Sequence, residues 1–176
     1  MLTFVGFFIS AYLHMQESDF QTVTTHSFFQ NNGYMYKIPD PSLAELNSGR
    51  AFARPFDSFG VLDGEPYFTE LKFQQGYSAF AFNKIEKHQI WHLTTARPAF
   101  QDKGFCGIIL AIWMRNKFYD VFFFDIDYIN EKIAAGDKSI KKKELENFKK
   151  LGKCLFIKSG SFDVRLMRGI TFHGKK

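Results

Sequence analysis

The sequence predicts a mixed α/β fold, and three observations carry that prediction. Asp63-Gly64 separates two alternating apolar runs, the pattern of a tight β-hairpin. Cys106 to Ile112 is an unbroken apolar stretch, as expected of a strand buried on both faces. Helical segments stand before, between and after these strands, so helices and strands share one sheet-centred architecture.

The elements follow in order. Leu2 to about Asn31 reads as helical, and Asn32-Gly33 is its stop signal. Tyr34 to Ile38 alternates as a short strand, which Pro39-Asp40-Pro41 ends because proline cannot donate to a ladder. Ser42 to Arg54 is an irregular excursion carrying Arg50 and Arg54. Phe56 to Leu62 and Glu65 to Gln74 are the two hairpin strands. Lys84 to Thr95 is helical, and Phe105 to Trp113 is the buried strand. Phe118 to Ile126 is its neighbour, with Asn116-Lys117 at the turn. Asp127 to Ala135 is a short helix. Ser139 to Leu151 is a further helix with Ser139 as its N-cap, and Leu155 to Lys158 is a last strand. No repeat or low-complexity linker interrupts the chain, and 176 residues suit one domain.

Hydrophobic residues make up 45% of the chain, including 23 Phe, enough for a substantial core. The net charge of +5 and pI near 9.1 fit a nucleic-acid or other anionic partner without singling one out. Cys106 and Cys154 sit among apolar residues, outside any CxxC or Cys/His spacing, and read as reduced core thiols of a cytoplasmic protein. Met1 to Met15 is apolar but has no Lys or Arg ahead of the run and no small-residue cleavage site, so it does not read as a signal peptide. It is also shorter than the roughly 20 residues a membrane span needs. It reads instead as helix packed on the domain or on a partner subunit.

The hairpin predicts a site by counting. With a two-residue turn, Leu62 faces Glu65, Gly60 faces Tyr67 and Asp57 faces Glu70. Lys72, two residues beyond Glu70, shares that face. Two opposed carboxylates need a cation. Lys72 supplies one charge, and a hard divalent ion such as Mg²⁺ would take oxygen ligands there. Such an ion can orient a phosphodiester and activate water. The same three residues could also form an ordinary surface ion pair of little energetic worth. His88 and His92 share a helix face beside Gln89. Their spacing lacks a His-Glu-x-x-His pattern and suits hydrogen-bonded structure better than metal ligation. Gln89 is a candidate to orient water or Lys72.

Phe56-Asp57, then Phe68-Thr69-Glu70-Leu71-Lys72, then His88-Gln89-Ile90 resembles the PD-(D/E)xK nuclease superfamily, and more narrowly the RecU-type resolvases. Ala79-Phe80-Ala81-Phe82 is similar to a Ser-Phe-x-Leu stretch of that family. Tyr36 to Pro41 is similar to its Lys-Pro-Thr-Pro stretch, and Lys138 to Glu146 to its Lys-Ser-Ile-Arg-Lys-x-Glu-Leu run. The resemblance spans about His14 to Asn147. It implies a restriction-endonuclease-like sheet flanked by helices, with an αβββαβ core. It also implies a homodimer that nicks four-way (Holliday) DNA junctions with paired symmetric cuts, using Mg²⁺ or, as substitute, Mn²⁺. A glutamate on the first helix completes the family's metal site, and Glu17 falls at the matching place.

The expected catalytic set is therefore Asp57, Glu70, Lys72, Gln89 and Glu17, with metal ligands Asp57, Glu70, the Leu71 carbonyl and Glu17. DNA phosphates are expected at Arg50, Arg54, Lys138, Lys141, Lys142 and Lys143. The stalk that the resemblance implies, here 42–55, is shorter than in bacterial members, and a Phe-rich run replaces their basic N-terminal arm. Both departures fit a divergent or phage-encoded member acting in a bacterial cell or an infected host. Two other readings stay open: a nuclease of this fold acting on other DNA, and a non-catalytic DNA-binding protein.

Overall fold

Asp63 and Gly64 set the register of the central sheet. Both adopt positive φ, 53° and 76°, which closes a two-residue turn whose twist matches its strands. A computed structural model of the protein describes residues 16–42, 45, 47–49, 54–100, 103–114, 118–157 and 160–174. The turn joins β2 (Ser58–Leu62) to β3 (Glu65–Gln75), and Leu62 pairs with Glu65 and Gly60 with Tyr67, as counted from the sequence. β1 (Tyr34–Lys37) pairs antiparallel with β2.

From β3 the chain makes β4 (Phe80–Ala81), a 3-10 turn at Phe82–Lys84 and α2 (Lys87–Ala96), and returns as β5 (Phe105–Met114) parallel to β3. A parallel return needs such a crossover, and α2 supplies it. β6 (Phe118–Asp125) is antiparallel to β5, and β8 (Leu155–Ile157) to β6. The sheet order is β1-β2-β3-β5-β6-β8. The remaining elements are α1 (Glu17–Gln30), α3 (Ile126–Ala134), β7 (Ser139–Ile140), α4 (Lys142–Lys150) and α5 (Met167–Ile170).

Both sheet faces are covered, which explains why β5 reads as a continuous apolar run rather than an alternating one. Leu71, Ile109, Ala111, Val121 and Phe123 pack with Phe20 and Phe28 of α1 and with Val164 and Met167 near the C-terminus. Ile108, Leu110, Ile112, Phe122 and Phe124 pack on the other face with Leu93 of α2, Ile129 of α3 and Leu145 of α4. The αβββαβ order expected from the sequence is present.

Three boundaries differ by more than one residue among the described residues. The hairpin's first strand starts at Ser58 rather than Phe56, because Asp57 leaves the ladder for side-chain partners. The crossover helix starts at Lys87, not Lys84. Phe82 and Ile85 are buried, and Glu86 is the residue that caps the helix. Ser139 is not an N-cap: Ser139 and Ile140 pair with Ala81 and Phe80, and the helix begins at Lys142. The fully buried Ile140 decides this, since strand pairing places it in the core. The expected helix before Gln16, and Lys158 of the last strand, lie outside the described residues.

Candidate active site

The site forms where β2 and β3 part. Their last pair is Ser58 with Thr69. One residue earlier, the Asp57 N–H donates to Glu70 Oε2 at 3.1 Å, and Asp57 Oδ2 accepts the Leu71 N–H at 2.7 Å. N–H and C=O of one strand residue leave on the same side in antiparallel pairing. The Leu71 carbonyl therefore points to the Asp57 side, beyond the end of the β2 ladder. Lys72 Nζ lies 2.6 Å from Glu70 Oε1. Asp57 is 3% exposed and Glu70 0%, so neither is a surface carboxylate. The ordinary surface-pair alternative does not describe this cluster.

Burial and the nearby Asp57 charge push the Glu70 carboxyl up to about 7, against the opposing pull of Lys72 and Arg54. Burial works to lower Lys72, but Glu70, Glu17 and Asp57 outweigh it and hold the ammonium above its ordinary value. Lys72 is thus a fixed positive charge, suited to neutralising negative charge rather than to removing a proton from water. Burial also raises Glu17, with Lys72 and Arg54 opposing and Asp57 reinforcing the shift. Those interactions put Glu17, in the first turn of α1, within electrostatic range of the cluster.

The other expected residues fall unevenly. Gln89 is buried, but its Oε1 accepts the Glu86 N–H at 3.0 Å in the capping box of α2. No hydrogen bond among the described residues joins it to Asp57, Glu70 or Lys72. Arg54 turns into the site rather than outward. Its Nη2 is 2.6 Å from Asp57 Oδ1 and its Nη1 3.0 Å from Asp40 Oδ1, while Nε is buried without an acceptor among the described residues. Two acidic neighbours explain this orientation, and a freely extended phosphate-contacting arginine is not what the fold presents. Lys138, Lys141, Lys142 and Lys143 are exposed, apart from the cluster, with Lys142 3.7 Å from Glu146. Arg50 lies outside the described residues.

Sequence reasoning missed one support. His88 Nε2 donates to the Arg54 carbonyl oxygen at 2.9 Å, which ties α2 to the loop that carries Arg54. His88 Nδ1 lies 3.2 Å from Glu86 Oε2. These contacts agree with the structural reading of the histidine pair. No signal in the sequence shows the link, because residues 54 and 88 meet only through the tertiary fold.

A mixed sheet with a buried Asp at one strand's lip, opposite a Glu-x-Lys strand, has the form of the PD-(D/E)xK nucleases. The family described as RecU, Recombination protein U, matches residues 52–159, well over half of the chain. The chain belongs to the RecU family, a Holliday junction resolvase family whose members are nucleases. Among solved structures, the Holliday junction resolvase Hjc of the archaeal hyperthermophile Archaeoglobus fulgidus is similar at 13% identity. The match covers 60% of this chain and 71% of that one, with a TM-score of 0.35. No curated protein matches. No helix among the described residues is long and apolar enough to cross a membrane.

Proposed function

We propose that the chain is a divalent-metal-dependent endonuclease that resolves four-way DNA junctions by paired symmetric nicks, with Asp57, Glu70 and Lys72 as its catalytic core. One observation carries this reading: two buried carboxylates share a lip of the sheet with a lysine ammonium 2.6 Å from one of them. Burying two carboxylates together is costly and is repaid by a cation.

The donor set suits Mg²⁺, with Mn²⁺ as substitute, because it is all oxygen. Among the described residues, each oxygen of Asp57 and Glu70 takes one hydrogen bond or ion pair, which leaves acceptor capacity on every one. Among the described residues, no group of three or more His, Cys, Asp or Glu side chains is placed to hold a metal ion, so two carboxylates form the fixed part of the site. Asp57, Glu70, the Leu71 carbonyl and Glu17 would hold the ion, with Glu17 contributed from the open side. Bound there, a divalent ion supplies Lewis acidity to the phosphoryl group and a lowered pKa to a water ligand.

The chain's own part is electrostatic and positional. Hydrolysis forms a bond between water oxygen and phosphorus and breaks the bond from phosphorus to one sugar oxygen. Negative charge grows on the phosphoryl oxygens and on the departing oxygen. Lys72, held charged by three carboxylates, meets that growing charge. Arg54 braces Asp57, and His88 braces Arg54. Gln89 acts by fixing the first turn of α2, and any contact with the attacking water is indirect. Lys138, Lys141, Lys142 and Lys143 contribute sequence-independent phosphate attraction. A two-fold homodimer supplies two sites for two symmetric scissile phosphates.

The test is incubation of the purified protein with a synthetic four-way junction and with matched linear duplex, in Mg²⁺, Mn²⁺ or EDTA. Paired nicks on the junction alone, lost in Asp57→Asn, are expected. Equal cutting of linear duplex would instead favour a nuclease with another DNA substrate, a reading that the short 42–55 insertion supports. Tight binding without cutting in either metal would sink both.

A further inference from the structure

Helix α2 carries a row of aromatic and basic side chains that the chemistry above leaves unused. The row starts at the site. Arg54 pairs with Asp57, and His88 binds the Arg54 carbonyl. The His92 ring lies 6.4 Å from that of His88, centroid to centroid, and the Trp91 ring lies 4.7 Å from His92, edge-on at 73°. Contacts therefore run without a break from a catalytic carboxylate to the indole. Trp91 is 61% exposed, while Gln89 and Leu93 bury the opposite side of the helix. The indole is thus not needed for the core.

The surroundings choose the occupant. Residues 87–96 contain no acidic side chain, and Lys84 and Lys87 are exposed beside the row. The nearby Glu86 carboxylate is occupied by the helix N-terminus and His88. An exposed indole among cations and imidazoles suits a nucleic acid, whose phosphates meet the charges and whose bases stack on the ring. Intact linear duplex hides its base faces inside the stack. A branch point exposes them where the arms meet, and an aromatic platform linked to the catalytic lip through His92, His88 and Arg54 distinguishes the two.

We propose that Trp91 is a specificity-determining residue that stacks on a base exposed at the branch point of the DNA substrate. The proposal rests on the nuclease reading above. Base stacking on one aromatic ring implies roughly tenfold in junction affinity.

The experiment exploits a count of two tryptophans. Trp113→Phe leaves Trp91 as the sole indole, and the exchange removes a buried indole N–H that has no acceptor among the described residues. The Trp113→Phe protein is titrated in EDTA with a dye-labelled four-way junction and with linear duplex of the same sequence. Dye anisotropy reports occupancy and indole emission reports stacking. Junction is expected to quench Trp91, and duplex at equal occupancy to leave it unchanged. Trp91→Ala should lose about tenfold in junction affinity with duplex affinity kept, and Trp91→Phe should recover most of it. Equal quenching by both DNAs, or an unchanged junction-to-duplex ratio in Trp91→Ala, overturns the proposal. So does a change in oligomeric state in Trp91→Ala by light scattering, which would assign the indole to a protein contact. Failure of the nuclease reading is seen separately, as absence of Mg²⁺-dependent cutting by the unaltered protein.

Discussion

Asp57 Oδ2 accepts the Leu71 backbone N–H at 2.7 Å, and Glu70 Oε2 accepts the Asp57 N–H at 3.1 Å. The two acids thus hold each other's strand in place of the missing ladder bonds. The same carboxylates that would bind a metal also close the sheet at its lip, so changes here affect stability and activity together.

The Glu70 shift sets a pH dependence for the metal-free protein. Its carboxyl ionises near 4.5 when unfolded and near 7 when folded. Between those values the folded state holds a proton that the unfolded state has lost, so stability falls as pH rises and levels off above about 7. The full loss is on the order of 3 kcal/mol. Urea melts in EDTA from pH 4.5 to 8 should show this decline, and millimolar Mg²⁺ or Mn²⁺ should offset it at the high end. Glu70→Gln should flatten the curve and remove the metal effect.

Lys72→Met removes the charge that stabilises ionised Glu70. Without that charge the Glu70 pKa rises further and the carboxyl keeps its proton at pH 8, so the variant should lose about 1 kcal/mol there. Near pH 5 the loss should be much smaller, since Glu70 is then neutral. Equal destabilisation at the two pH values would mean that Lys72 contributes by packing alone. Nicking should fall about 100-fold or more under conditions where the variant is folded.

Gly64 sits at φ 76° with open space around a would-be Cβ. Gly64→Ala should therefore cost about 1 kcal/mol through backbone conformation alone. Its nicking rate at 25 °C should remain that of the unaltered protein, because the turn lies at the far end of the hairpin from Asp57 and Glu70. A large loss of activity with little change in melting temperature would contradict this separation.

Each phosphate contact made by Lys138, Lys141, Lys142 or Lys143 adds to the salt dependence of DNA affinity. Replacing Lys141 and Lys143 together by Gln should lower the slope of log affinity against log salt by about 2, equally for junction and duplex. An unchanged slope would make this run a solvated helix face, with Lys142 already turned to Glu146.

Much of the site was legible because it is local. A two-residue turn and the alternation of strand side chains place Asp57, Glu70 and Lys72 on one face, whatever surrounds the hairpin. The apolar run of β5 likewise announced a strand covered on both sides. Non-local packing governed the remainder. Arg54 reads from sequence as an outward loop cation, yet Asp40 and Asp57 draw it inward. Ser139 reads as a helix cap, yet Ile140 is wanted in the core and pairs with Phe80. Gln89 reads as a residue facing the acids, yet its amide closes the first turn of its own helix. Sequence by itself determined which carboxylates and which lysine oppose one another, because strand periodicity and turn geometry act over a few residues. The tertiary structure alone decided how deeply they are buried and which arginine, histidine and glutamate reach them, because desolvation and charge pairing depend on elements distant along the chain.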